Sequence, residues 1–402
     1  MFSRYEEVIQ VSSTDAAPLL LIPGPTPVPQ PVLEALSRPT ESHSSPVTAK
    51  ALRRLQEGLV QAVGADPGDP ALILVLAGSG TLALEAGLVN LAAPGEKVLV
   101  VSHGLFGDRY LAVARALGAE VEVVESPWGE QVAPERVEEA LRRSGARVMT
   151  ATHVDTATGV MAPFREYGRI AREQGVTMIL DAVATVGGMP VDMSETGIDV
   201  VVTASQKALG MPPGLALLAI SRRALEVRRA RPGCRSYFLD WLNWEATMGD
   251  SVGKYFATLP TNMIIAGGAA MDIAMEEGWE ARFRRHRRMA RATRRGLRAI
   301  GLNPMANEEV LGATVTATSV PEGISPADLR LEVAKEGVAI AGGIGKWAPT
   351  AVRFGHMGAV DLPELLQGIA VVEAALLRLG APVERGAGVA ELTSGWGYEL
   401  GD

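Results

Sequence analysis

Short apolar runs alternate with longer stretches of helical periodicity between about residues 70 and 220. The runs are rich in valine, leucine and isoleucine and have the length of strands. We predict strands at 72–76, 98–101, 121–124, 147–151, 177–181, 199–203 and 215–220. We predict helices between several of them, at 81–92, 108–117, 134–144 and 164–174. Continuous apolar strands that alternate with helices predict an α/β fold, with a mostly parallel seven-stranded sheet between two layers of helices.

A different pattern begins near residue 278. Apolar residues recur there at spacings of three and four among many arginines, which predicts one long amphipathic helix. Further strands are predicted at 313–319 and 338–341, and further helices near 326–336 and 361–379. These elements indicate a small α+β domain. We therefore divide the chain into an N-terminal arm, a large domain, a small C-terminal domain and a loosely held glycine-rich tail, at 1–20, 21–277, 278–383 and 384–402.

Composition and charge restrict the possible functions. The chain has 402 residues, 47% of them hydrophobic, and a formal net charge of −8. This acidic balance argues against binding to nucleic acid or to an anionic membrane, because both attract basic surfaces. We interpret the arginine-rich helix as a solvated or intersubunit face. We also predict a cytoplasmic protein, for three reasons. The chain has a single cysteine, Cys234, its start is unlike a signal peptide, and it has no apolar run long enough to span a membrane.

A lysine and a carboxylate lie at the ends of two predicted neighbouring strands. Asp181 ends the run at 177–181, and Lys207 follows the run at 199–203. In parallel α/β sheets, ligands bind beyond the carboxyl ends of the strands. Pyridoxal phosphate requires a lysine for its Schiff base and an acid opposite its pyridine nitrogen. The pair therefore indicates a site for this cofactor, with a structural ion pair between the two side chains as the alternative.

Other candidate residues follow predicted strands or interrupt regular structure. Gly-Ser-Gly-Thr at 78–81 precedes a predicted helix, where free amides attract phosphate, although such sequences also form plain tight turns. Phe106 has a flat ring that could stack on a cofactor or belong to the core. Arg353, in a strand-like segment, suits either a substrate carboxylate or a salt bridge. The proline-rich segment 22–29 forms either a rigid linker or the wall of a pocket.

Metal and hydrolase chemistry find little support in the sequence. The five histidines are scattered, and neither a His-Glu-x-x-His motif nor a cysteine pair is present. A Gly-x-Ser-x-Gly nucleophile elbow is also missing. We therefore predict neither a metal centre nor a serine hydrolase.

A set of short motifs appears in an order that is specific to one family. The motifs are Pro-Gly-Pro-Thr-Pro-Val-Pro (23–29), Gly-Ser-Gly-Thr (78–81), Thr-Gly-Val (158–160), Asp-Ala-Val-Ala-Thr-Val-Gly-Gly (181–188), Ser-Gln-Lys-Ala-Leu (205–209) and Arg-Phe-Gly-His-Met-Gly (353–358). In this order, the chain resembles the class V, fold-type I aminotransferases that use pyridoxal phosphate. It is most similar to the alanine–glyoxylate and serine–pyruvate or serine–glyoxylate branch, from Pro23 to about residue 380.

The resemblance implies a role for each matching residue. Lys207 would form the Schiff base, and Asp181 would pair with the pyridine nitrogen. Phe106 would stack on the cofactor ring, Thr156 would lie beside the ring hydroxyl, and Arg353 would hold the substrate carboxylate. Further cofactor contacts would come from Ser79, Gly80, Thr81, Val183 and Gln206.

The resemblance also implies a substrate wall and a homodimer. Gly24, Pro25 and Thr26 would border the substrate. Tyr255 and Thr258 would reach the phosphate of the cofactor in the partner subunit, so that each site would need both chains.

The implied reaction is a ping-pong transfer of an amino group from a small amino acid, alanine or serine, to a 2-oxo acid such as glyoxylate or pyruvate. One evident substrate arginine fits a monocarboxylate donor, and aspartate would need a second cation. The alternatives on the same fold are a cysteine desulfurase or other lyase, an enzyme with another amine donor such as pyridoxamine or an aminophosphonate, and a non-catalytic binding protein. Gln206 and the position of Cys234 argue against a desulfurase, and the intact Lys207–Asp181 pair argues against a binding protein.

Overall fold

The molecule is represented by a computed structural model that describes residues 17–66, 72–248 and 256–397, apart from the side chain of residue 246. In chain order, its strands are β1 (Leu19–Leu20), β2 (Leu72–Ala77), β3 (Lys97–Ser102), β4 (Glu120–Glu125), β5 (Val148–Thr152), β6 (Thr177–Asp181), β7 (Val200–Ala204), β8 (Leu215–Ile220), β9 (Val315–Ser319), β10 (Val338–Ala339), β11 (Ala341–Gly342) and β12 (Ala351–Gly355). Its α-helices are α1 (Gln30–Leu36), α2 (Pro46–Ala62), α3 (Gly80–Leu91), α4 (Leu105–Ala116), α5 (Pro134–Ser144), α6 (Phe164–Glu173), α7 (Met193–Thr196), α8 (Arg222–Arg229), α9 (Trp241–Met248), α10 (Thr261–Glu277), α11 (Trp279–Ala299), α12 (Pro326–Ala334), α13 (Leu362–Arg378) and α14 (Ala387–Trp396).

The seven-stranded sheet confirms the predicted fold class. Its strand order is β2-β8-β7-β6-β5-β3-β4, and β8 runs antiparallel to both of its neighbours while the other pairs are parallel. Each of the seven strands predicted for this sheet is present, with ends that differ by at most one residue from the prediction. The apolar runs located these strands well because helices cover both faces of the sheet, so that β5, β6, β7 and β8 are buried at every position. At the sheet edge, β4 instead carries exposed glutamates, which discourage pairing with another chain.

The helices of the large domain agree less closely with the prediction. The predicted helix at 108–117 begins three residues earlier, at Leu105, so Phe106 lies in its first turn. None of the helices α1, α2, α7, α8, α9 and α10 is predicted from the sequence. For α2 the sequence does carry a start signal, because Ser45 caps the helix by accepting from the Thr48 amide and Pro46 follows it. No helix within the described ranges is long and apolar enough to cross a membrane.

The C-terminal part of the chain builds a separate hydrophobic core on a small antiparallel sheet. The sheet order is β11-β12-β9, and helices α12 and α13 supply apolar residues to the core. The single strand predicted at 338–341 is divided in two: β10 pairs with β1, whereas β11 pairs with β12. Gly342 and Arg353 therefore lie on neighbouring strands, and the Arg353 side chain contacts the large domain at the Thr156 carbonyl oxygen.

The N-terminal segment belongs structurally to this small core. Leu19 and Leu20 pair in parallel with Val338 and Ala339. Leu21 is predicted from the sequence to start the large domain, but its side chain is buried in the C-terminal core. The segment after it leads directly to the proline-rich loop, so the loop is anchored at its start by the small domain.

The prediction of a loosely held tail is wrong for residues 387–396. They form α14, which packs along α11, and Leu392 and Trp396 are buried in the C-terminal core. Glycines make the approach possible: a Cβ placed on Gly296 would lie 2.9 Å from the Gly388 carbonyl oxygen, and one on Gly395 would lie 3.1 Å from the Ala292 Cα. We interpreted the glycines of this segment as a sign of looseness, but they allow two helices to pack closely.

Leu392→Ala should therefore destabilise the protein by about 2–5 kcal/mol, because the side chain is fully buried and its removal leaves a cavity. Leu33→Ala is the matched control, since Leu33 is 41% exposed and its loss should cost less than about 1 kcal/mol. Urea unfolding followed by circular dichroism measures both. Equal effects of the two substitutions would show that α14 is not part of the core.

Candidate active site

Asp181 and Lys207 lie together at the carboxyl edge of the large sheet. Asp181 is the last residue of β6, and Lys207 follows the end of the adjacent parallel strand β7. Asp181 is only 3% exposed, and its Oδ1 accepts a hydrogen bond of 3.0 Å from the Val183 amide. Within the described chain, no lysine or arginine forms a salt bridge with it. The structural ion pair that we considered is therefore absent, and a buried carboxylate remains without a cation.

Burial shifts the pKa values of both groups toward neutrality. Burial raises the pKa of Asp181 to about 7, and the nearby Asp155 adds to this effect while the Val183 amide and Lys207 oppose it. Burial also lowers the pKa of Lys207 to about 8. The positive charge of Arg353 contributes to this decrease, whereas the negative charge of Asp181 opposes it. A lysine with this pKa is partly uncharged near neutral pH, as a nucleophilic amine must be.

The proline-rich loop forms a wall around the Lys207 amine. Lys207 Nζ donates a hydrogen bond to the Pro23 carbonyl oxygen. Thr26 Oγ1 donates to the Lys207 carbonyl oxygen at 2.9 Å, and the Thr26 amide donates to the Gln206 carbonyl oxygen at 3.2 Å. Gly24 has a φ of +117°, and a Cβ placed there would lie 2.7 Å from Lys207 Nζ. Only glycine fits this position, because both its backbone conformation and the adjacent amine exclude a side chain.

The N-terminus of α3 lies beside the Asp181 turn. Ser79 precedes the helix and makes no capping hydrogen bond with its side chain, and the first amides of a helix have no partner within it. A Cβ on Gly80 would lie 3.1 Å from Val183 Cγ2, so the glycine allows the helix start to approach the turn closely. The side-chain oxygen of Gln206 is buried without a hydrogen-bond partner among the described residues. The helix start thus offers free amide donors beside the Asp181 turn, and Gln206 offers an unsatisfied polar atom next to Lys207 in the chain.

Phe106 and Arg109 lie side by side in the first turns of α4. The Arg109 guanidinium lies 4.7 Å from the centroid of the Phe106 ring, and its Nη1 donates to Thr81 Oγ1 at 3.2 Å. Its charge also reaches Asp181 and Lys207, whose pKa values it lowers. We did not single out Arg109 from the sequence, although its position three residues after Phe106 on a helix places the two side chains on one face.

Arg353 reaches from the small domain to the turn that carries Thr156. Its Nη1 donates to the Thr156 carbonyl oxygen at 2.8 Å, and its Nε donates to the Gly342 carbonyl oxygen at 2.8 Å. Burial lowers the pKa of Arg353 to about 10, and Asp155 opposes the shift. Arg353 forms no salt bridge with any acidic residue in the described ranges. The structural salt bridge that was the alternative to substrate binding is therefore not observed.

The residues predicted to contact the partner subunit are only partly described. Tyr255 lies outside the described residues. Thr258 is exposed, next to the half-buried residues Phe256 and Ala257. The roles that we assigned to both residues stay predictions.

Comparison with known proteins identifies the family. The family model for class-V aminotransferases matches residues 19–360. The chain belongs to the class-V aminotransferase family. It is 34% identical to the L-aspartate–glyoxylate aminotransferase of Paracoccus denitrificans, with 92% of this chain and 94% of the relative covered. It is 31% identical to the serine–glyoxylate aminotransferase of Arabidopsis thaliana, with 92% and 93% covered.

A solved structure agrees with the sequence relatives of this class-V aminotransferase. The ureidoglycine–glyoxylate aminotransferase of Bacillus subtilis superposes with a TM-score of 0.91 at 28% identity, and the match covers 95% of this chain and 99% of that one. The predicted family, fold and transaminase activity are therefore confirmed, and the protein is an aminotransferase.

Lys207→Met should stabilise the cofactor-free protein near pH 7 by about 2–3 kcal/mol, because folding lowers the pKa of this lysine from 10.5 to about 8. The lost bond to Pro23 offsets part of the gain. The destabilisation by Lys207 is complete below pH 8 and disappears as the pH rises through 10.5, so the gain should vanish there. Urea unfolding at pH 7 and pH 10.5 measures it, with the exposed Lys97→Met as control. A variant no more stable than wild type at pH 7 would contradict the burial argument.

Proposed function

We propose that this aminotransferase binds pyridoxal phosphate at Lys207 and Asp181 and transfers an amino group from a small amino acid, alanine or serine, to a 2-oxo acid. The observation that carries the proposal is the buried Asp181 carboxylate and the half-buried Lys207 amine at the carboxyl ends of neighbouring strands, neither of which forms a salt bridge in the described chain. Glyoxylate is the favoured acceptor, because it occurs in the names of all three related aminotransferases compared above. The donors in these three names differ, so we infer the donor of this protein from the residues of its proposed substrate site.

The residues present fit this cofactor. A buried carboxylate without a cation suits a protonated pyridine nitrogen, since pairing offsets the cost of burying each charge. The N-terminus of α3, with Ser79 and Gly80, suits a phosphate group because its amides point outward and the helix dipole is positive there. Gln206, next to Lys207 in the chain, has a buried side-chain oxygen without a described partner, and the Phe106 ring lies beside Arg109, whose charge acts on both Asp181 and Lys207. Thr81, Thr156 and Val183 complete the set that we propose for this chain.

Each group of the protein has a distinct task in the proposed reaction. When bound, the cofactor supplies an electron sink for a substrate carbanion. Asp181 holds a proton at the pyridine nitrogen. Lys207 accepts a proton from the substrate Cα and returns one during the transfer, and its lowered pKa of about 8 suits both directions. The loop from Gly24 to Thr26 excludes water from the amine on one side.

Arg353 bears on how many carboxylates the donor carries. Its guanidinium is already held by two backbone carbonyls, which orient it without neutralising it. A substrate carboxylate can supply the missing negative charge. Arg109 is a second cation near Lys207. Its guanidinium lies over the Phe106 ring and donates to Thr81, however, so we propose Arg353 as the one arginine for a substrate carboxylate. A single such arginine suits a monocarboxylate amino acid and supports alanine or serine as donor.

Transamination by the purified protein tests the proposal. With pyridoxal phosphate present, alanine or serine should bleach the visible band of the bound cofactor and produce glycine from glyoxylate. Lys207→Ala should lower turnover by at least about a hundredfold, because proton transfer is lost, whereas Lys97→Ala should keep it. Aspartate serves as a competing donor in the same assay. A binding protein or lyase would give no glycine with any donor, and this outcome would contradict the proposal.

A homodimer is the second part of the proposal. Thr258 follows Phe256, whose ring lies 5.2 Å from that of Tyr237 between centroids, and Tyr237 and Phe238 are 79% and 40% exposed. Exposed aromatic side chains in a patch are typical of an interface. We propose that Tyr255 and Thr258 reach the cofactor site of the partner.

Sedimentation equilibrium should therefore give twice the chain mass of 42.3 kDa. Tyr237→Ser should weaken the dimer, because the substitution removes the most exposed of the large apolar side chains from the patch. The matched control is Leu33→Ser, at another exposed position. A fully active monomer would refute the shared site.

A further inference from the structure

Asp155 is a buried carboxylate that the proposed chemistry does not use. It lies in the turn after β5, three residues beyond Thr152, and is 0% exposed. Among the described residues, it forms no salt bridge. The carboxylate must therefore be stabilised by other groups, and these groups belong to two separate segments of the site.

The first segment is the start of α4. The Phe106 amide donates to Asp155 Oδ2 at 2.7 Å, and the Gly107 amide also bonds to this carboxylate. These are amides that a helix leaves unpaired at its start. The N-cap residue, Gly104, has no side chain with which to satisfy them. Asp155 thus caps α4 from a distant part of the chain, and its negative charge is favourable at the positive end of the helix.

Gly104 provides the space for this cap. A Cβ on Gly104 would lie 2.6 Å from Asp155 Oδ2, so the carboxylate occupies the space that a side chain would fill. The backbone there is extended, with a φ of 169°, and would suit any residue. The glycine is therefore required for close approach and not for its conformation.

The second segment is the turn that contacts Arg353. Asp155 Oδ1 accepts from the Ala157 amide at 2.8 Å, and the Asp155 carbonyl oxygen accepts from the Gly159 amide at 2.7 Å. These bonds fix the turn around Thr156, whose carbonyl oxygen accepts from Arg353 Nη1. The charge of Asp155 also acts on Arg353, whose pKa it raises against the effect of burial. One carboxylate thus joins the helix that carries Phe106 to the turn that orients Arg353.

We propose that Asp155 is a positioning residue that fixes Phe106 and Arg353 relative to each other, and thereby sets the substrate carboxylate with respect to Lys207. The inference rests on the proposed function for its effect on the substrate. The hydrogen bonds of the Asp155 carboxylate to the Phe106, Gly107 and Ala157 amides form a clamp between the two segments. This clamp is a property of the protein without cofactor or substrate, and it can be tested separately.

Asp155→Asn tests the clamp. Asparagine keeps the shape but places an NH₂ group against one of the amides that now donate to the carboxylate, so that at least one hydrogen bond is lost. In the cofactor-free protein, amide hydrogen exchange over 104–109 and 155–159 should accelerate by at least about tenfold. In the loaded enzyme, the KM for the amino donor should rise by at least about tenfold, and kcat should fall less than this.

Two further variants make the result decisive. Asp108→Asn is the matched control: Asp108 lies on the same helix, accepts from Ser102 Oγ at 2.8 Å, and retains an oxygen acceptor as asparagine. It should change neither exchange nor KM. Gly104→Ala places a methyl group where the Asp155 carboxylate now lies, and it should reproduce both effects of Asp155→Asn. The alanine variant therefore provides the test if Asp155→Asn does not fold.

The outcomes separate the two proposals. Unchanged exchange in both segments, or a loss of kcat at constant KM, would overturn the positioning role of Asp155. Inactivity of the wild-type protein with every donor would overturn the proposed function, while the exchange comparison would still decide whether the clamp exists.

Discussion

A carboxylate buried without a cation is the constraint on which the site depends. Asp181 ends a strand that is buried at every position, and only the Val183 amide bonds to its Oδ1 among the described residues. Lys207 is half-buried, and its amine donates to a neutral carbonyl oxygen, that of Pro23. Each arrangement destabilises the charged form of the side chain, and the surrounding apolar sheet must supply the compensating stability. Such unpaired groups are typical of a site that awaits a charged ligand.

The fold brings the remaining charges to this place from both domains. The parallel strands deliver Asp181 and Lys207 to one edge, and the first turns of α3 and α4 face the same edge. The small domain contributes Arg353, and the N-terminal strand β1, which pairs with β10, anchors the loop that contacts Lys207. The proposed clamp at Asp155 would make the aromatic and the arginine parts of the site move as one unit.

The sequence predicted the sheet well because buried parallel strands are apolar at every position, and this pattern needs no knowledge of the partners. The same pattern directed attention to Asp181 and Lys207, because the first ends such a strand and the second follows one. It failed for the tail, where the glycines of α14 serve close packing against α11, and for β1, whose partner β10 is more than three hundred residues away. Asp155 and Arg109 were missed for a related reason: their roles depend on segments that are distant in sequence, and an acid in a turn after a strand has many local explanations.

The most direct test of the central claim is chemical mapping of the cofactor. The protein is incubated with pyridoxal phosphate, reduced with borohydride, digested, and analysed by mass spectrometry. The account predicts that the reduced cofactor is attached to Lys207, and that Asp181→Asn weakens its retention during dialysis before reduction. Attachment to another lysine, or equal retention by the Asp181→Asn variant, would contradict the assignment of this buried pair as the cofactor site.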